Sequence, residues 1–322
     1  MTCKPAFAFA TNQSPNTRNH ATMGGLQVIV AAICWGTLGI FTTYLHQLGF
    51  DSVQIAILRV VTAAMMLLIL LPSLWTSIRR LSVGEILQLS LQSLIGVLGM
   101  TVCYFIAVNF VGAGIAVSLL YTAPIFSLVL AFFLLKEPIT KKSFTLACIA
   151  VLGVALTTLS ENFTLSWGIV FGLLSGVCYS LYGILGKKAL HKHYPPTLVF
   201  FSSVVISAMA LLFLPMTYQT YAKALSMPAI TWLWVMGLSL VGTVIPFFLY
   251  MSALHKLPAT KASVFTVFEP FTAIVLSIVL LHQSLNGMQY SGMVLILLAT
   301  LLNSIKLPMQ RQRQLTEVDT QV

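Results

Sequence analysis

Charge is what this 322-residue chain has least of: 7% of its residues are Asp, Glu, Lys or Arg, against 58% hydrophobic. A soluble domain carries about 25% charged residues, so an ordinary soluble make-up is excluded. Acidic residues are the scarcer sign, seven in all, which removes the clustered acids that catalysis inside a membrane would need. Five cysteines, Cys3, Cys34, Cys103, Cys148 and Cys178, fall in no disulfide or metal spacing and read as small packing residues. His191 and His193 lie in a basic loop without acidic or cysteine companions, so they suit lipid headgroups better than a metal. No apolar run ahead of a small-residue cleavage site occurs in residues 1–22, so no cleavable signal peptide is expected.

What the chain does have is hydrophobic stretches, ten of them, near 26–46, 53–71, 86–109, 113–135, 144–160, 166–186, 196–215, 229–253, 259–281 and 287–305. Each has about the length an α-helix needs to cross a hydrocarbon core at ~1.5 Å per residue. The basic residues sit in alternate gaps. One set of gaps holds Lys4, Arg18, Arg79, Arg80, Lys136, Lys141 and Lys142, then Lys187, Lys188, Lys192, Lys256, Lys261, Lys306, Arg311 and Arg313, 15 of the 17 in the chain. The opposite gaps hold only Lys223, and Arg59 lies inside the second stretch. By the positive-inside rule both termini are expected in the cytoplasm, with the loops near 47–52, 110–112, 161–165, 216–228 and 282–286 outside. The net charge of +10 is spread over six short segments, which fits orientation against anionic lipid and not nucleic-acid binding. Asn162-Phe-Thr164 on the outer side fits the glycosylation pattern, which matters only in a eukaryotic secretory pathway.

The chain also repeats itself. Shifted by 146, Gly96 falls on Gly242, Tyr104 on Tyr250, Ala107 on Ala253, Ala113 on Ala259, Ala116 on Ala262 and Pro124 on Pro270. A shift of 144 superposes Cys34, Gly39 and Ile40 on Cys178, Gly183 and Ile184. Each half holds five helices. An odd number makes the second half enter the membrane from the opposite side, so the expected fold is an all-α integral membrane protein of ten transmembrane helices in two inverted five-helix repeats. The expected divisions are an N-terminal tail over 1–25, repeats over 26–160 and 166–306, and a C-terminal tail over 307–322.

Trp35-Gly36, Arg59, the run Tyr121-Thr-Ala-Pro124 followed by Leu134-Leu-Lys-Glu137, and Phe268-Glu269-Pro270 resemble the drug/metabolite transporter superfamily, in its EamA-type branch. The resemblance covers roughly residues 26–306. It implies a basket-like bundle around a central substrate cavity and, commonly, export of amino acids or related metabolites. One departure is His282-Gln283, where the family often has Gly-Glu.

Candidate site residues follow from cost. Pro124 and Pro270 sit near the expected bilayer midplane, where proline withdraws an N–H and frees the Leu120 and Thr266 carbonyls. They line a site or merely shape a kink; Pro246 has no matching partner. Glu269 is the one acid expected deep in a membrane segment, at a cost of about 2.5–3.5 kcal/mol if charged and alone. It either carries a proton by alternating between neutral and charged forms or fixes packing. Arg59 has three destinations, snorkelling, Glu269 or a substrate carboxylate, with Asp51 as a further rim partner. Tyr104, Ser118, Tyr121 and Thr122 in the first half, with Thr243, Tyr250, Ser263 and Thr266 in the second, supply a hydrogen-bonding lining or bond between helices. Trp35 plugs one end of the cavity or sits against lipid. Gly168, Gly172 and Gly176 repeat every fourth residue on one face and read as close helix packing.

Together these features predict a secondary transporter, and an exporter, of small metabolites such as amino acids, working by alternating access in the plasma (inner) membrane. Its partners are a small molecule and the lipid bilayer, with no nucleic acid. No Walker-type loop occurs and every gap is too short for an ATPase domain, so no cofactor is expected and the energy must come from a gradient or the substrate. The other classes are a membrane-embedded enzyme, a channel, which would call for a continuous polar pore, and an uptake carrier of the same fold.

Overall fold

The computed structural model describes residues 15–158, 166–192, 194–281 and 287–304. Cys3, His193, Asn162-Phe-Thr164, His282-Gln283, the loops at 161–165 and 282–286, the tail over 307–322 and the Ser118 side chain lie outside the described residues. Every described element is a helix. The first repeat comprises α1 (Pro15–Gly36), α2 (Leu38–Gln47), α3 (Ser52–Leu67), α4 (Leu71–Arg79), α5 (Val83–Leu91), α6 (Met100–Leu120), α7 (Ala123–Leu135) and α8 (Lys141–Thr158). The second comprises α9 (Trp167–His191), α10 (Pro196–Leu212), α11 (Pro215–Leu225), α12 (Ile230–Ser239), α13 (Ile245–Leu254), α14 (Ala259–Thr266), α15 (Phe268–Leu281) and α16 (Gly287–Ser304).

Five continuous helical stretches are long and apolar enough to cross a membrane: Thr22–Gln47, Ser52–Arg79, Val83–Val111, Trp167–His191 and Ile230–Leu254. The pair α10 and α11, bent by 95° where Pro215 starts the second helix, is either a sixth, broken span or a re-entrant loop. The protein is therefore an all-helical, multi-pass membrane protein. At 110–112, where the sequence suggests a loop, α6 stays helical. The second repeat has Pro258 between α13 and α14; the first has Gly112 in that place, and without a proline the helical hydrogen bonding continues.

Local chemistry sets the breaks. Asp51 caps α3: its carboxylate accepts from Gln54 N at 2.8 Å, and Gln54 Oε1 accepts from Asp51 N at 3.1 Å. No ion pair joins Asp51 to Arg59 among the described residues. Pro124 and Pro270 do not kink continuous helices. Each stands in the first turn of a new one, after breaks at Tyr121-Thr122 and Val267, where its missing N–H costs nothing. The Thr122 and Thr266 hydroxyls turn back to the Leu119 and Ser263 carbonyls at 2.6 and 2.8 Å.

The doubling seen in the sequence reappears as matched backbone. A π-helical turn at Gln92–Gly99 joins α5 to α6, and another at Leu240–Val244 joins α12 to α13. Gly96 and Gly242 sit in them. A Cβ at Gly96 would fall 2.8 Å from Tyr182 Cα, and one at Gly242 would fall 2.3 Å from Leu38 Cδ2. Leu38 and Tyr182 are themselves 144 apart, so the two contacts are one contact made twice. Gly242→Val should therefore overpack the α12–α13 bend against α2 at a cost of about 1–3 kcal/mol. The expected result is a melting temperature lower by roughly 2–10 °C, read from thermal denaturation of the purified protein. Gly168, Gly172 and Gly176 press on Phe110, Leu119 and the Leu120 carbonyl, so α9 meets α6 at backbone distance.

Polar contacts join loops of the same set of gaps. Lys223 Nζ donates to the Gly49 carbonyl and lies 4.8 Å over the Phe50 ring, which brings 47–52 and 216–228 together. Elsewhere Glu137 accepts from Ala259 N at 3.1 Å and from Thr260 Oγ1 at 3.1 Å, while Lys187 Nζ donates to the Leu254 carbonyl at 2.9 Å and to that of Leu257. Lys256 Nζ donates to Gln27 Oε1 at 2.9 Å.

Candidate functional site: a central cavity

A cavity of about 420 Å³ lies among α1, α2, α3, α6, α9, α12, α13 and α15. That is within the range of small-molecule sites. His46 and Ser52 line it at the end that carries the 47–52 loop. There His46 Nδ1 lies 2.8 Å from the Phe50 carbonyl oxygen, and Ser52 Oγ lies 3.4 Å from His46 Nε2.

Its floor is aromatic. Trp35, 5% exposed, meets Phe247 edge-on at 5.2 Å, Tyr179 edge-on at 6.3 Å and Tyr250 at 5.8 Å. Tyr182 closes the cluster against Phe247 and Tyr250 at 5.3 and 6.0 Å. Glycine sets this geometry too: a Cβ on Gly36 would fall 2.6 Å from Thr272 Cβ and 3.0 Å from the Glu269 carbonyl, so the Trp35-Gly36 pair lets α1 lie against α15 beside the acid.

Arg59 is the one Lys or Arg and Glu269 the one acid on the cavity wall. No nitrogen–oxygen contact within 4.0 Å joins them, yet they are close enough to interact through space, as are Tyr104 and Tyr121 with Glu269. Three buried polar atoms of the lining make no well-shaped hydrogen bond: Arg59 Nε, Tyr121 Oη, and Tyr179 Oη, which lies near the Thr266 hydroxyl. The Tyr121 hydroxyl lies near the Glu269 carboxylate without forming a well-shaped bond. Orphaned donors of this kind cost about 1–3 kcal/mol each when dry, so water or a ligand should meet them.

Of the residues the sequence marks, Trp35, Arg59, Tyr104, Tyr121, Glu269 and Pro270 line this cavity. Thr122, Pro124, Thr243, Tyr250, Ser263 and Thr266 do not. Ser263 is bonded to Ser127 at 2.7 Å, Thr243 Oγ1 is buried without a partner, and Tyr250 packs beneath the floor. Tyr179, Thr101, Phe105 and Met100 line the wall and were not marked. Tyr179 carried a readable signal, since it lies 144 residues after Trp35.

The EamA-like transporter family matches this chain twice, over residues 22–159 and 166–305. The chain belongs to the EamA-like transporter family. An uncharacterized transporter of Archaeoglobus fulgidus is 25% identical over 279 residues, covering 87% of this chain and 95% of its own. The threonine/homoserine exporter RhtA of Salmonella typhimurium is 27% identical over 229 residues, 69% of this chain and 72% of its own. The uncharacterized transporter YetK of Bacillus subtilis is 27% identical over 256 residues, 74% of each chain. A solved crystal structure superposes with a TM-score of 0.71 at 15% identity, over 87% of this chain and 96% of that one, a likeness of fold alone. This EamA-like protein is accordingly a membrane transporter, and residues of both its repeats line the cavity.

Proposed function

We propose that this protein is a secondary transporter that exports a small zwitterionic or amphiphilic metabolite, an amino acid or a close relative, by alternating access. One observation carries the substrate class: a single guanidinium and a single carboxylate on the wall of an otherwise largely apolar cavity, with orphaned tyrosine hydroxyls beside them. A carboxylate on the substrate suits Arg59 and an ammonium suits Glu269. The likeness to RhtA, named a threonine/homoserine exporter, supports the same class and direction. The two repeats, over 26–160 and 166–306 with five helices each, are read as inverted, and this conformation as open to the outside through the end that carries His46.

Thermal stabilisation by a panel of amino acids, followed by counterflow in liposomes, tests the reading, because a ligand that binds only the folded state must stabilise it. Stabilisation and counterflow by none of the zwitterions would overturn it. Topology is tested separately. With both termini cytoplasmic in the plasma (inner) membrane, a cysteine at Ser226 in a cysteine-free background should react with an impermeant maleimide added to intact cells, and one at Ser143 should not. Equal labelling would rule this orientation out.

A further inference from the structure

We propose that Leu38, Thr101, Tyr104 and Tyr179 form a second gate, which shuts over the His46 end of the cavity in the opposite conformation and is weaker than the gate closed here. The proposal rests on the inverted-repeat reading. In such a fold the two conformations exchange the roles of the halves, so each contact closed on one side has a counterpart that closes on the other.

The closed gate is the cluster of Trp35, Tyr182, Phe247 and Tyr250, with ring contacts of 5.2, 5.8, 5.3 and 6.0 Å. The offsets of 144 and 146 carry these four residues onto Tyr179, Leu38, Thr101 and Tyr104 in turn. All four counterparts line the open cavity. The same offsets relate the glycine contacts of the two π-helical turns, which is independent support for the correspondence. Closure of the second gate therefore brings Tyr179 and Leu38 against Thr101 and Tyr104, with one pair of rings where the first gate has four rings in mutual contact.

Two clamps add to the imbalance. Lys187, which holds the Leu254 and Leu257 carbonyls, corresponds to Thr43, whose hydroxyl donates to Gly39 in its own helix at 2.7 Å. Glu137 caps α14 across the repeat boundary, but the position matching the start of α14 is Ala113, inside the continuous helix α6, so the other half offers no helix N-terminus for a matching cap. The empty protein thus rests with the His46 end open, and bound substrate must supply what the second gate lacks. Exchange of substrate for substrate should then run faster than net flux, because only the empty protein has to close that gate unaided.

The test moves aromatic rings between repeats in the full-length, cysteine-free protein, in sealed vesicles of both orientations. Thr42→Cys reports the open end, and Met251→Cys, fully buried here, reports the closed one. L38Y/T101F should slow labelling of Thr42→Cys by an impermeant maleimide about tenfold, and Y182L/F247T should speed labelling of Met251→Cys about tenfold from the other side. T101F alone should act in the same direction by about threefold, which keeps the test open if a double variant does not fold. Labelling unchanged within about twofold in folded variants, with both reporters reachable, would overturn the gate assignment alone. A Met251→Cys that stays unreachable in every variant while transport continues would overturn alternating access, and the gate with it.

Discussion

Glu269→Gln is expected to leave exchange of substrate for substrate running while it lowers accumulation driven by an imposed pH gradient by about tenfold or more. Glutamine keeps the shape and an oxygen that can still accept from a substrate ammonium, so exchange is weakened but kept, while whatever depends on a proton coming and going is lost. The position fits that task. Glu269 stands in the first turn of α15, two residues past the break at Val267, on the wall of a cavity that His46 and Ser52 also line. A carboxyl there exchanges a proton with whichever side the cavity faces, provided the cavity changes sides. The measurement is paired uptake in proteoliposomes, counterflow without a gradient and accumulation with one. A folded Gln variant that accumulates substrate normally under a pH gradient would reduce Glu269 to a packing or binding group.

Much of this architecture was legible because membranes punish disorder in the sequence. Lys and Arg must stay out of the hydrocarbon, so their gaps mark helix ends, and the contacts of Lys223 with Gly49 and of Glu137 with Ala259 each join loops of one set of gaps. The repeat was readable from glycine and proline because those residues act on the backbone. Gly96 and Gly242 each permit a close approach in a π-helical turn, and Pro124 and Pro270 each open a helix.

What stayed hidden depends on direction around a helix. Spans that are apolar toward lipid and apolar toward the interior give no stripe to read, so periodicity does not separate Tyr179 on the cavity wall from Tyr182 beneath it, and only the repeat with Trp35 marks Tyr179. The hydroxyls are ambiguous for a related reason. Thr122 and Thr266 satisfy themselves on their own helices, which sequence cannot distinguish from a hydroxyl aimed at a ligand. The continuity of α6 through 110–112 was masked by Gly112 and Gly114, which read as a loop but do not forbid a helix as Pro258 does. Tyr250 is off the cavity wall because its ring is taken up by Trp35 and Tyr182 in the aromatic cluster.

Arg59→Gln should cost transport of a carboxylate-bearing substrate about 100-fold or more, because it removes the one guanidinium facing the cavity. Arg59→Lys should recover part of the loss, since a point charge survives but the planar fork does not. A purely structural arginine predicts a different pattern. The pairing between Arg59 and Glu269, beyond 4.0 Å, is bounded below about 4 kcal/mol at an effective dielectric near 20. Each single neutral variant then melts lower because it strands the other charge, and the double variant Arg59→Gln/Glu269→Gln should regain part of that stability. Transport should not return with it, because restoring charge balance to the wall restores no partner for the substrate carboxylate. Recovery of transport together with stability in the double variant would mean that the pair serves packing, and that the substrate is held by other groups.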